Sequence, residues 1–330
     1  MRRPARTLVL ACTVLALPAC AQLPAVTAPA ATGRAPVPLV VQPAQAARIA
    51  EAATAPLEVA GDPAATDLDA LAQRVTGPEL DLRRAAATIA AAGATPPAAG
   101  ADTLEAISSV LPRQEGWPRW FLTVTEPGAD SKPSLVVLRS PAPREPYRVW
   151  ATPSLLPGAS LPTTGAPADG AAVVPADEDT NLPMSPAAVA ERYADVLLNG
   201  DGSEFAGQFA TDAYRQGVLT SAEEQARALE GAGGTFSQER VLLDDSVLAV
   251  RTRDGGALVV AGYRSSVTAA GPAGGLPGQL QAAAAALAGR EDATSVTTVV
   301  EEVVVFAVPP GQGQASVVAV QSGPVSIEAS

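Results

Sequence analysis

Two adjacent glutamates, Glu301 and Glu302, interrupt the most apolar strand-like run of the chain, Ser295 to Val308. Neighbouring residues of a strand point to opposite faces, so one of the two carboxylates is expected to face inward. An inward carboxylate is the arrangement in this sequence best suited to general-base chemistry. Burying it alone would cost about a few kcal/mol, so it is expected to pair, with Arg251 or Arg264 on the neighbouring hairpin. A paired carboxylate has a lowered pKa and is a poor base at neutral pH. A bulge or a wet strand end would also account for the two glutamates without any chemistry. No catalytic role is assigned to either.

The remaining residue types exclude most other mechanisms. The 330 residues include no histidine, 22 Lys+Arg and 34 Asp+Glu, for a net charge of −12. Serine-hydrolase triads need the missing histidine, and no Gly-x-Ser-x-Gly elbow occurs. Lys132, the only lysine, follows Ser131 in a Pro- and Gly-rich turn where nothing would lower an amine pKa. Asp177, Asp179 and Asn181 match the first spacings of a calcium loop, but Leu182 and Ala188 stand where its glycine and last glutamate belong. The glycines at 231–234 and 311–313 do not join a strand to a helix and read as turns, not phosphate loops. Trp117, Trp120 and Trp150 could line a groove, but anchoring a core is the preferred reading. The chain is therefore expected to be no enzyme and to use no cofactor and no metal.

The N-terminus carries an address. Arg2, Arg3 and Arg6 precede an apolar run from Thr7 to Ala19, the form of a secretory signal peptide over residues 1–19 and too short to span a membrane. Leu17-Pro18-Ala19-Cys20 resembles the lipobox of bacterial lipoproteins, with Pro18 a departure from the commonest pattern. That resemblance implies lipidation at Cys20 and anchoring on the outer face of the cytoplasmic membrane. Cleavage after Ala21 would instead release a soluble protein. Cys12 or a twin-arginine route through Arg2-Arg3 fits less well. Cys12 would leave with the signal, so no intramolecular disulfide is expected. The acidic balance repels nucleic-acid phosphates and anionic lipid heads. Expected partners are the membrane, through the lipid anchor, and an unknown envelope protein or small ligand, with no nucleic acid.

The elements that would position any site fall into two similar halves. Proline-rich residues 20–39 read as a disordered tether, 40–151 as an N-terminal α+β domain, 152–184 as a Pro/Gly-rich linker and 185–330 as a C-terminal α+β domain. Each half opens on an amphipathic helix, with Ala46, Ile49, Ala50 and Ala53 in one and Val189, Tyr193, Val196 and Leu197 in the other. Ser185 as N-cap, Pro186 at the first helical position and Asn199-Gly200 as a stop delimit the second. A short helix and then a third helix follow in each half, the third over Glu79–Ala92 and Ala222–Glu230, with Ser221 and Glu224 as a capping box. Strands come next, Phe121–Thr125, Leu135–Arg139 and Tyr147–Trp150 in the first half. In the second they are Val247–Arg251, Leu258–Ala261, Ser295–Val308 and Ala315–Gln321, with Asp254-Gly255-Gly256 as a hairpin turn. An alanine-rich helix is expected over Leu280–Ala288.

Helices first and a curved antiparallel sheet afterwards is an α+β order. Taken twice, it resembles two NTF2-like (SnoaL-like, cystatin-like) cones, each a sheet wrapped around helices with a pocket between; a ketosteroid-isomerase-like cone would use an inward carboxylate as base. The stretch from Trp120-Phe-Leu-Thr-Val-Thr125 through Tyr147-Arg-Val-Trp150, Leu155-Leu156-Pro157-Gly158 and Leu161-Pro162 also resembles a family of uncharacterised secreted lipoproteins of high-GC Gram-positive (actinobacterial) bacteria. That likeness implies a non-catalytic envelope lipoprotein and brings no catalytic residues with it.

Overall fold

Helix α1, Pro43–Val59, turns Ala46, Ala50, Ala53 and Leu57 to one buried face, as its spacing requires. Asp67 caps the short α2, Leu68–Ala72, by accepting from the backbone N–H groups of Asp69 and Ala70. Helix α3, Gly77–Ala91, begins with Gly77-Pro78. The computed structural model describes residues 36–59, 62–97, 104–126, 133–272 and 280–330. The signal peptide, Cys20, most of the tether and Lys132 lie outside them.

The first sheet is antiparallel, in the order β1 (Ala106–Val110), β3 (Arg119–Thr125), β4 (Leu135–Ser140) and β5 (Arg148–Ala151). Alternation gives it two buried faces. Phe121, Val136, Leu138 and Val149 meet α1 and Leu71, Val75 and Leu80. Trp120, Leu122, Leu135, Val137 and Trp150 face the other way.

What they meet there is the second sheet. Its antiparallel order is β6 (Ser154–Leu155), β12 (Ser316–Ala329), β11 (Ser295–Val308), β10 (Ala257–Ala270) and β8 (Thr235–Leu242), with β9 (Leu248–Arg251) continuing the line of β8 along the same edge of β10. Leu258, Val260, Val303, Val305 and Val318 pack on the first sheet. Val259, Ala261, Tyr263, Val304 and Phe306, on the opposite face, pack on Val189, Tyr193, Val196 and Leu197 of helix α4, Pro186–Asn199. The arrangement is four layers, helix, sheet, sheet, helix. Each fully buried Val, Leu or Phe stabilises it by roughly 1.5–3 kcal/mol. Trp150 wedges the layers together, and two glycines make room for it: a Cβ on Gly77 would sit 2.5 Å from its ring, and one on Gly262 would sit 2.9 Å away.

The α+β class and antiparallel sheets are as the sequence suggests, while several details differ. Residues 37–330 form one compact unit, in which the layer between the sheets draws on both halves. The stretch 152–184, read as a linker, is packed throughout much of its length. Its β6 pairs with β12, its β7 (Ala171–Ala172) runs parallel to β2 (Pro112–Arg113), and Val173 bridges to Val250. Leu161 and Ala159 rest against the inter-sheet core. Helix α5 runs Ala213–Gly231, nine residues earlier than the capping box at Ser221 suggests, because Asp212 caps it by accepting from the Arg215 N–H. Strand β12 passes through Pro324, which an edge position tolerates: β6 covers β12 only at Ala319 and Val320. Helix α6 is Ala282–Ala288, as its alanine run suggests.

Candidate functional site

The two halves of the second sheet are covered differently on the helix face. Over Phe306 and Tyr263 helix α4 fills the space, but beyond them α5 stands off the strands and leaves a cleft of about 460 Å³. Helix residues Leu198, Ala213, Tyr214, Gly217 and Val218 form one wall and Arg240, Ser265, Val267, Val300 and Glu302 the other. Only Arg215 of α5 is fully buried, which fits a helix packed along part of one face.

Glu302 sits in this wall and is almost completely enclosed, with 3% of its side chain exposed. Arg240 donates to both of its oxygens, from Nε at 2.8 Å and from Nη2 at 3.0 Å. The Ser265 hydroxyl donates to Oε2 at 2.7 Å, and the Tyr214 hydroxyl donates to Oε1. A carboxylate offers about four lone-pair directions, and here four donors occupy them. Burial and the adjacent carboxylate push the Tyr214 phenol well above 10, so it is a neutral donor at physiological pH. Burial alone would lower the Arg240 guanidinium, but Glu302 outweighs it and holds it above its usual value. Arg240 Nη1 is buried and has no partner.

Glu301 points to the opposite face and is equally enclosed. Both carboxylates are therefore buried, not one, because α3 covers at this level the face that α5 leaves. Arg264, one of the two expected partners, binds Glu301 from Nε at 3.2 Å and also from Nη2. Arg251, the other, binds Glu178 instead. The Glu301 carboxyl is raised, not lowered: burial outweighs the hydrogen bond from Arg264, and Asp81 adds to the rise. Glu301 Oε2 has no partner.

A third buried carboxylate, Glu79 on α3, accepts from Thr152 at 2.7 Å, from Gln321 at 2.6 Å and from Arg83 at 2.8 Å. It ties α3 to the end of β5 and to β12. Trp120 and Trp150 are core residues, as preferred on sequence grounds, while Trp117 is partly exposed with the Arg119 guanidinium 4.8 Å from its ring centre. Asp177, Asp179 and Asn181 lie in the turns before α4, where the Leu182 N–H donates to the Asp179 carbonyl. Among the described residues no group of three His, Cys, Asp or Glu side chains could hold a metal ion. Among them, too, no helix is long and apolar enough to cross a membrane.

Known proteins share this chain's pattern. The family described as Domain of unknown function (DUF8094) matches residues 43–326. The chain belongs to the DUF8094 family. An uncharacterized lipoprotein of Streptomyces avermitilis is 29% identical to the DUF8094 chain over 199 residues, 59% of the chain and 58% of the relative. The chain thus spans a little over half the length of that relative. No solved structure matches the chain significantly. These likenesses support the resemblance to an uncharacterised actinobacterial lipoprotein family and bring no site residues with them.

Sequence reasoning reached Glu302 and missed Arg240, Tyr214, Ser265 and Gly217. The signal for Arg240 was faint but present: in Thr235–Leu242 it falls on the same strand face as Phe236 and Leu242. Its partner could not be named without the pairing of β8 with β10, which sets Arg240 opposite Ser265.

Proposed function

We propose that this DUF8094 chain is a non-catalytic lipoprotein of the cell envelope, anchored through Cys20 on the outer face of the cytoplasmic membrane, that binds a small ligand or protein partner there. The observation that carries the non-catalytic reading is the saturation of Glu302. All four of its acceptor directions are taken by Arg240, Ser265 and Tyr214, so accepting a substrate proton would first require breaking that cluster. The lipoprotein relative supports anchoring. The order of α4, α5 and then sheet, with a cleft between, supports an NTF2-like ancestry for 185–330.

The enzyme alternative draws on the place of Glu302 in a cleft wall. One experiment separates the two. Molecules that copurify with the full chain, or that crosslink to it in intact cells, are identified by mass spectrometry and incubated with wild type and with Glu302→Gln. Recovery of the molecule unchanged from both supports binding. Conversion by wild type but not by Glu302→Gln would overturn the non-catalytic reading. Anchoring is tested separately: Cys20→Ala should release the protein from the membrane pellet into the medium and abolish palmitate labelling.

A further inference from the structure

Helix α5 carries a glycine, Gly217, at its fifth position. Glycine is the poorest helix former after proline, so this residue weakens the element it belongs to. Its backbone is not in the left-handed region, so no turn requires it, and a Cβ built there would meet nothing within 4 Å. The missing side chain faces the α5 cleft, of which Gly217 is a lining residue. A larger residue would have been accommodated, and it would have filled the space.

The chemistry of the walls restricts what the space can hold. Leu198, Val218, Val267 and Val300 supply apolar surface, and a volume of about 460 Å³ lies within the range of small-molecule sites. The charge of Arg240 is already neutralised by Glu302 on the same wall, and Glu239 also borders the cleft. No positive charge is left over for an anion. The free Arg240 Nη1 is sealed inside the wall and offers the cleft no donor.

We propose that the α5 cleft binds a neutral, mainly apolar small molecule and that Gly217 keeps the cleft open for it. The proposal rests on the binding reading above and adds where the ligand sits and what it is. It predicts an unusual combination at Gly217, in which a larger residue makes the protein more stable and stops it binding.

The test uses the full chain carrying Cys20→Ala, so that no acyl chain competes for the probe. Nile red, a neutral, mainly apolar dye, is titrated by fluorescence and compared with the anion 1-anilinonaphthalene-8-sulfonate. Saturable Nile red binding is expected, with the anion weaker by about tenfold or more. Gly217→Leu should raise the thermal midpoint and weaken Nile red by at least about tenfold. Ala222→Phe, at another lining position of α5, should block the cleft independently if the leucine variant folds poorly. Failure of wild type to bind Nile red saturably, or tighter binding of the anion, would overturn the ligand class. Binding that survives both folded variants would overturn the cleft as the site and leave the binding reading standing.

Discussion

Replacing Arg240 by alanine removes two donors from Glu302 and one from Ser265 in a place water does not reach, since the Arg240 and Glu302 side chains are 4% and 3% exposed. What remains is a buried carboxylate held only by Ser265 and Tyr214. Breaking such a pair from one side costs roughly 3–5 kcal/mol, because the surviving charge is left uncompensated. In a unit of this size each kcal/mol shifts the midpoint by about 2–4 °C, so Arg240→Ala should melt roughly 6–20 °C below wild type. Arg264→Ala is the internal control. Its arginine is 51% exposed, and the Glu301 carboxyl it binds, already raised by burial, can take up a proton once Arg264 is gone, so the loss should be smaller than for Arg240→Ala. The assay is thermal or urea denaturation of the lipid-free protein at pH 7. A third variant identifies the cause: Arg240→Met with Glu302→Leu removes both charges and should recover most of the loss, since a buried pair replaced whole by apolar groups is often neutral. Equal midpoints for Arg240→Ala and Arg264→Ala would refute the argument from burial. A double variant as unstable as the single would show that shape, and not the stranded charge, sets the cost.

The raised carboxyl of Glu301 makes a pH prediction: the folded chain holds this proton more tightly than the unfolded one, so the group's contribution is full below the ordinary value of 4.5 and is lost as pH rises through the folded value. Stability relative to Glu301→Gln should therefore increase as pH is lowered from 7 toward 4.5, measured by urea midpoints, and a constant difference would contradict it. Ser185→Ala should cost about 1 kcal/mol by removing the cap on the Ala188 N–H, read as a midpoint drop of about 2–4 °C. A fragment starting at Pro183 should show no cooperative transition by calorimetry, because Leu258, Val260, Val303, Val305 and Val318 lose the first sheet they pack on. A sharp transition from that fragment would mean that the face is dispensable.

Where structure is decided locally, the sequence was legible. The ends of α4 follow from Ser185, Pro186 and Gly200, whose φ of 57° suits a glycine stop. The β9–β10 hairpin follows from Asp254-Gly255, where the aspartate side chain accepts from the Gly256 N–H. The repeated helix-then-strand order is local information too, and it suggested two domains. That order does not show that the two sheets share a layer. The information on sheet burial was in the strands themselves: Val303-Val-Val-Phe306 is a continuous apolar run, and continuous runs belong to strands buried on both faces. Taken seriously, that run implies that both Glu301 and Glu302 are enclosed and that each needs its own cation, one on each face of the sheet. The same logic explains why the cleft was hard to find. Helix α5 and strand β8 form its walls but do not pack closely against each other there, so neither needs a full apolar stripe: Thr235–Leu242 has no fully buried residue, and α5 has one, an arginine. Apolar periodicity records surfaces that touch protein. A wall kept free for something else leaves a gap in that record, and in this chain the gap coincides with an otherwise unexplained helical glycine.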